Sequence, residues 1–501
     1  MDWEKIVLIV YIISLSKLFV FASHGYVMIY YYFKTYKQRT EDFSKLNFDI
    51  KEYPEVTIQL PLFNEKYVIT RLIDATIRLD YPKDKLEIQI LDDSTDETTQ
   101  IISDHIQKYI EQGYDVKLIH RTNRQGYKAG ALKEGLKTAR GEFVAIFDAD
   151  FIPRRKFLKR TIPYFFKDEK MALVQTRWEH LNRNYSILTK TQAIALDGHF
   201  VIEQAVRNRA GFFINFNGTG GIWRKEAIFD AGNWEADTLT EDLDLSYRAQ
   251  MKGWKCKYLV NFTSPAELPA EINSLKSQQF RWTKGAIETA KKLFFKVVFS
   301  KLPFKEKLQS FIHLCSNIAY PFILVAGVLN LPLVLIKESG DFDPVFKFMS
   351  IFIFAFVGSF LFYLHSQKDV YPDWQSRIIY FPVFMTGSMG MSINNTKAVF
   401  EGLINKKSEF VRTPKFMITH EKDTWHDKKY LAKRVPFTTY IEAVLAIYCT
   451  VGVVLAVYYV QIASIPFQLM FAFGFGNIAY LSIKQVIVQN RQLKAQLNEQ
   501  S

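Results

Sequence analysis

Acidic residues stand where extended, apolar runs of this chain end. Leu60-Pro61-Leu62-Phe63-Asn64-Glu65 and Leu91-Asp92-Asp93-Ser94-Thr95-Asp96 each close a β-rich stretch. There Asp92 or Asp93 can accept from a ribose hydroxyl or a base N–H, although Asp also caps helices. Phe143–Phe147 runs directly into Asp148-Ala149-Asp150, and alternation along an extended chain sends both carboxylates to one side. Two anionic oxygens at a strand tip suit Mg²⁺ or Mn²⁺, with phosphate oxygens completing the octahedron. Thr240-Glu241-Asp242 leads into a helical pattern. It reads as an N-cap with acids in the first turn, or as a general base able to deprotonate a hydroxyl nucleophile. Gln278-Gln279-Phe280-Arg281-Trp282 adds an arginine fork that can hold a diphosphate and an indole that can stack on a sugar. The competing use of that segment is an interfacial helix with an anchoring Trp.

These residues need elements to position them. Between residue 54 and about residue 290, short β-rich runs (Val56–Leu60, Leu86–Leu91, Val116–Ile119, Phe143–Phe147, Leu173–Thr176) alternate with helical stretches (Val68–Leu79, Thr98–Gln112, Lys128–Ala139). Such alternation implies parallel strands joined by right-handed crossovers, with ligands at the strands' carboxyl ends.

The rest of the chain is of another kind. Among the 501 residues, 49 % are apolar and 15 % aromatic, which excludes a disordered or collagen-like protein. Cys256, Cys315 and Cys449 lie too far apart in sequence to indicate a disulfide framework or a Cys-based zinc site. Ile6–Phe33 is almost continuously apolar, long enough for a hydrocarbon core of about 30 Å, and lacks a signal-peptide cleavage site. Its Lys17 suits snorkelling or a protein-facing position. Phe311–Ile336, Phe348–Leu364, Ala443–Ile462 and Pro466–Ile483 are further candidate spans, and Ile378–Val399 is apolar but studded with Gly, Ser and Asn. Ten Lys or Arg lie between Lys397 and Arg434, whereas Glu338–Pro344 and Gln461–Ser464 hold none. Positive charge stays in the cytoplasm. With Lys34, Lys37 and Arg39 also inside, the loops agree only if Ile378–Val399 lies on the interface. Five spans follow, with the N-terminus outside and the C-terminus inside. The net charge of +13 is then explained by the membrane, and no nucleic-acid partner is expected.

In their order and spacing, the four acidic and basic elements resemble the D, D-x-D, T-E-D, Q-x-x-R-W signature of the membrane-integrated inverting glycosyltransferases of family 2, the group of cellulose, hyaluronan and chitin synthases. Leu91–Asp96, Lys128–Leu132, Phe147–Phe151, Val174–Trp178 and Phe216–Gly221 look most like plant cellulose synthase-like A and C proteins, which make mannan, glucomannan and xyloglucan backbones. The resemblance implies a GT-A (Rossmann-like) α/β cytoplasmic domain plus an α-helical multi-pass region. The divisions expected are 1–40, an N-terminal span; 54–290, the transferase; 291–400, interfacial helices and two spans; 401–437, a gating-type loop; and 438–501, two spans and a tail. It also implies roles. Asp92 or Asp93 binds the nucleoside, Asp148 the diphosphate and metal, and Asp150 the metal. Asp242 is the base beside Glu241, while Lys128, Gln278 and Arg281 hold the diphosphate and Trp282 the acceptor. Phe410-Val411-Arg412-Thr413-Pro414-Lys415 is similar to the gating loop F-x-V-T-x-K, with Arg412 in place of Val and with Phe410, Thr413 and Lys415 retained. The implied activity is transfer of a hexose from UDP-glucose or GDP-mannose to a growing β-linked polysaccharide, with Mg²⁺ or Mn²⁺, followed by translocation of the polymer. The expected location is a bacterial inner membrane, or the Golgi membrane of a eukaryote. Single addition to ceramide or diacylglycerol is the alternative. A catalytically dead scaffold is disfavoured because Asp148, Asp150 and Asp242 are all present.

Overall fold

The computed structural model describes residues 2–38, 53–408, 412–420, 422–424 and 434–500. Among these residues, seven strands form one sheet: β1 (Val56–Leu62), β2 (Leu86–Asp92), β3 (Asp115–His120), β4 (Phe143–Ile146), β5 (Met171–His180), β6 (Gly221–Arg224) and β7 (Lys255–Ala266). Their order across the sheet is β3-β2-β1-β4-β6-β5-β7. The five strands expected from sequence are all present. β3, β2, β1 and β4 pair in parallel, as the crossovers require.

The wholly parallel sheet, however, is not what forms. β6 is antiparallel to both β4 and β5, and β5 then pairs in parallel with β7. β6 is only four residues long and follows a glycine-rich turn, too short to give a periodic signal. Its pairing is non-local, so neighbouring strands decide its direction.

The core explains why these runs are strands. Every residue of β1, β2 and β4 is buried, as fits a sheet covered on both faces. Ile58, Leu60, Ile88 and Ile90 pack with Leu72, Ile73 and Ile102 from helices Ile69–Ile77 and Thr98–Glu111. Val144, Ile146 and Trp223 pack on the opposite side with Leu132 and Trp234. Where apolar side chains end, the chain leaves the sheet, and that is where the acids stand.

Among the described residues, five helices are long and apolar enough to cross a membrane: Trp3–Lys34, Phe304–Ser339, Asp343–Val370, Phe437–Tyr458 and Ile465–Arg491. They coincide with the five spans expected. Ile378–Val399 is not among them: helices Phe381–Gly390 and Ser392–Leu403 meet at Met391, which keeps a right-handed conformation and accepts from the Asn395 N–H (3.0 Å). Of the segment's two glycines, Gly390 has a packing reason. A Cβ on Gly390 would collide with the carbonyl oxygen of Gly474 in the last candidate span, and small residues permit that approach.

The long helix Ile272–Val298 joins the two regions. Glu271 caps it, accepting from the backbone N–H groups of Asn273 (2.7 Å) and Ser274 (2.6 Å). Lys276 forms a buried ion pair with Glu442 of the Phe437–Tyr458 span (2.8 Å). Asn273 Nδ2 donates to Gln485 Oε1 of the last helix (2.7 Å). A helix carrying site residues is thereby pinned to two candidate spans, and polar pairs specify that register better than apolar contact alone.

Candidate active site

One cleft gathers Phe63, Glu65, Asp93, Arg124, Tyr127, Lys128, Asp148, Asp150, Glu241, Asp242, Gln278, Arg281, Trp282, Arg412, Thr413 and Lys415. It opens at the carboxyl ends of β1, β2 and β4, the position expected of an open α/β sheet. Eleven of the thirteen nominated residues therefore meet in one cavity, drawn from segments more than 300 residues apart in sequence. The two exceptions are Asp92 and Phe410.

Asp92 faces the wrong way. Its fully buried carboxylate accepts from the Ser94 backbone N–H (3.0 Å) and the Thr99 hydroxyl (2.6 Å), and pairs with His120 Nδ1 (2.9 Å). It builds the turn after β2. Asp93 reaches the cleft and is gripped by Arg121, whose Nε and Nη2 donate at 2.7 and 2.5 Å. Beside it the Arg124 guanidinium lies 3.4 Å from the centroid of the Phe63 ring. Phe410 lies outside the described residues.

The D-x-D pair also departs from expectation. Asp148 and Asp150 do not extend the strand, because the Phe151 N–H bonds back to the Asp148 carbonyl (3.0 Å) and closes a turn. Each carboxylate meets a different lysine. Lys128 Nζ donates to Asp148 Oδ1 at 2.5 Å and to the Gly218 carbonyl at 2.9 Å. Lys415 Nζ donates to Asp150 Oδ2 at 2.8 Å. Burial alone pulls both lysines down, but the facing carboxylates outweigh it and raise both. Two hard oxygen donors flanked by cations suit a site that receives a divalent ion with an anionic diphosphate. A second acidic group, Glu235, Asp237 and Asp244, is the one set of three or more clustered metal-type ligands among the described residues. The Lys292 ammonium lies among its three carboxylates, at 2.5, 2.8 and 3.0 Å, and none of the three lines the cleft.

Glu241 begins the helix Glu241–Met251. Thr240 holds the N-cap position but does not cap with its side chain, which bonds the Thr289 hydroxyl instead (3.0 Å). Asp242 Oδ1 accepts from the Leu243 N–H (2.8 Å). Burial pushes Asp242 well above the ordinary carboxylate range, the neighbouring charge of Glu241 adds to this, and Lys128 opposes it. Glu241 is likewise raised by burial against the pull of Lys128. A carboxyl tuned upward beside a second one is the pattern of a general base. Gly218 lies against it in the left-handed region (φ +77°), where a Cβ would approach Asp242 Oδ2 to 3.0 Å. Only glycine gives that turn and leaves the carboxylate room.

Gln278, Arg281 and Trp282 are spaced i, i+3, i+4 on the Ile272–Val298 helix and so share a face, the one that lines the cleft. Burial lowers Arg281, against the charges of Asp148, Glu241 and Asp242, and a guanidinium stays charged regardless. From the gating-type segment, Thr413 and Lys415 line the cleft, and Arg412 forms an ion pair with Glu65 at 2.6 Å. The substitution at 412 therefore has a partner. Burial pushes Glu65 up to about 7, which Arg412 opposes. Sequence reading nominated neither Glu65 nor Arg412, nor Trp178 and His180, which also line the cleft. A carboxylate just after β1, in the quoted Phe63-Asn64-Glu65 run, was the available signal for the first.

Residues 54–285 match the family model "Glycosyltransferase like family 2". The chain is 43 % identical over 253 residues to glucomannan 4-beta-mannosyltransferase 9 of Arabidopsis thaliana, covering 50 % of this chain and 48 % of the relative. It is 37 % identical over 362 residues to probable glucomannan 4-beta-mannosyltransferase 3 of Oryza sativa subsp. japonica, covering 70 % and 63 %. The chain thus spans about half to under two thirds of the length of these relatives. In fold it is similar to the mannosyltransferase PcManGT from Pyrobaculum calidifontis, solved with GDP-Man and Mn²⁺ (TM-score 0.53, 17 % identity, 78 % of this chain and 100 % of that one). Residues 54–285 thus match the glycosyltransferase family 2 model on a GT-A-like fold, within a chain that is similar to plant glucomannan 4-beta-mannosyltransferases.

Proposed function

We propose that this protein is an inverting hexosyltransferase that moves a sugar from a nucleoside diphosphate donor to the end of a β-linked glycan at the cytoplasmic membrane face. The observation that carries this reading is the single cleft shared by Asp93, the D-x-D pair, Asp242 and the Gln278–Trp282 face, on a helix bonded to two candidate spans. Asp242 takes the proton of an acceptor hydroxyl, whose oxygen attacks the anomeric carbon from the face opposite the diphosphate. As the C–O bond to the diphosphate breaks, Arg281, Gln278, Lys128 and Lys415 meet the developing negative charge. Attack from that face turns an α-linked donor into a β-linked product. Asp148 and Asp150 would hold a divalent ion, Mg²⁺ or Mn²⁺, which when bound neutralises diphosphate charge.

GDP-mannose is favoured over UDP-glucose because the relatives are named as glucomannan mannosyltransferases and the fold neighbour was solved with GDP-Man. The test is purified chain with labelled GDP-mannose and UDP-glucose, reading product length. A ladder from GDP-mannose is expected. Turnover of UDP-glucose alone would overturn the donor, and one sugar per lipid would overturn the polymer.

The chain divides on this reading into a first span (1–40), the transferase (54–290), interfacial helices with two spans (291–400), a cytoplasmic gating-type segment (401–437) and two last spans with a tail (438–501). The spans would carry the polymer outward. The relatives are plant proteins, which favours the Golgi membrane and lends nothing to the bacterial inner membrane. Orientation is testable at Lys407, which is exposed, whereas Ser408 is held by the buried Lys284. A Lys407→Cys variant should resist an impermeant thiol reagent in sealed vesicles oriented cytoplasmic side in, and react once they are opened. Labelling while sealed would put this segment outside and remove it from the cleft.

Trp282→Ala should impair polymer formation more than water-dependent cleavage of the donor. An indole offers a broad apolar face that suits the C–H face of a β-linked pyranose. A parallel fall of both in well-folded protein would leave Trp282 as an interfacial anchor.

A further inference from the structure

His180 has no part in the scheme above, yet its surroundings are built with care. It ends β5, and its side chain is 3 % exposed, lining the cleft with Trp178, Leu196 and Trp282. Its Nε2 faces Asp197 Oδ1 at 3.2 Å. Asp197 is fully buried at the end of helix Ile187–Asp197. The same Oδ1 accepts from the Tyr371 hydroxyl (3.0 Å), and Oδ2 accepts from Gln367 Nε2 (3.2 Å). Arg177 Nη1 donates to the Tyr371 oxygen (3.2 Å), and its Nε donates to the Val260 carbonyl (2.8 Å). Gln367 lies in the last turn of the membrane helix Asp343–Val370, and Tyr371 caps it. One buried carboxylate therefore ties a residue of the cleft wall to a candidate span.

The hydrogen-bond inventory assigns the imidazole. Burial pushes Asp197 up, but His180 and Arg177 outweigh it and hold the carboxyl below its ordinary range. An ionised carboxylate only accepts, so Nε2 carries the hydrogen and Nδ1 is left to meet a hydroxyl, which can donate to a neutral ring or accept from a charged one. Next to it in the cleft lies the Trp178 ring, held by Phe151 and Phe200 at centroid distances of 5.2 and 4.9 Å. A polar ring nitrogen beside a fixed aromatic face suits a pyranose with a hydroxyl at its edge.

We propose that His180 binds the acceptor, Nδ1 forming a hydrogen bond with a hydroxyl of its terminal sugar, and that Asp197 is a positioning residue holding the Nε2–H and the ring, with Tyr371 and Gln367 tying it to the candidate span. This rests on the transferase reading and adds an acceptor contact on the wall that β5 supplies. A neutral hydrogen bond contributes about three- to tenfold in binding.

The experiment uses the full chain in detergent or nanodiscs, with whichever acceptor the wild type uses, glycan or lipid. Donor affinity is measured directly by binding of the labelled nucleotide sugar, and KM for the acceptor is measured at saturating donor. His180→Phe should raise the acceptor KM about three- to tenfold or more with donor affinity unchanged. His180→Asn keeps a polar amide near the Nδ1 position, able to donate or accept, and should recover part of the loss. Tyr371→Phe, which leaves the cleft wall intact, should raise the acceptor KM by less. An unchanged acceptor KM in His180→Phe, or an equal loss of donor affinity, overturns the proposal. If His180→Phe does not fold, His180→Asn and Tyr371→Phe decide it: wild-type acceptor KM in both overturns it. A wild type that glycosylates only lipid would overturn the polymer reading, while the His180 comparison is made on that lipid.

Discussion

Asp242→Asn is expected to lower transfer by about 10²–10⁴-fold while leaving donor affinity near wild type, because it removes the proton acceptor and little else. The amide oxygen can still accept the Leu243 N–H, so the start of the Glu241–Met251 helix should survive. The pH profile adds a second reading of the same group. Burial and Glu241 hold the Asp242 carboxyl above the ordinary range, and only the ionised form can take a proton. Transfer should therefore fall as pH drops, along an acid limb displaced upward from that of an exposed carboxylate. The residual activity of the Asn variant should lack that limb. Retention of more than about a tenth of wild-type turnover, or an unchanged limb, would remove Asp242 from the role of base.

Chelation is the second large effect. EDTA should abolish transfer by wild-type protein, and Mn²⁺ or Mg²⁺ should restore it. Asp150→Asn should weaken the metal-dependent part of donor binding by roughly 10²-fold or more, because several kcal/mol of charge neutralisation depend on the ligand. Asn is preferable to Ala here. Asp150 is the partner of the half-buried Lys415 (2.8 Å), and removing that partner outright would leave a largely desolvated ammonium unpaired. The asparagine oxygen can still accept from Lys415. Direct titration of donor affinity with and without Mn²⁺ separates the metal contribution from any loss of fold. Transfer that survives complete chelation would return Asp148 and Asp150 to the roles of partners for Lys128 and Lys415.

The sequence by itself determined the parts governed by short-range chemistry. Short β-rich runs, buried on both faces in β1, β2 and β4, placed β1–β5, and apolar runs long enough for a bilayer placed the five long helices. The acids at the ends of those runs, and Gln278, Arg281 and Trp282 at helical spacing, marked the cleft because a strand or helix fixes side-chain direction for its own residues. Tertiary structure alone decided what depends on partners distant in the chain. β6 runs antiparallel because β4 and β5 hold it on either side, a choice that four residues do not encode. Asp92 and Asp93 are adjacent acids with equal claim in sequence. Thr99 and His120 enclose the first, and Arg121 presents the second to the cleft. The D-x-D pair turns instead of extending, so its carboxylates answer to Lys128 and Lys415, lysines 287 residues apart. Asp197 lies 170 residues from Gln367 and 174 from Tyr371. A buried charge is stable only where its partners converge, and that convergence is a property of the folded chain.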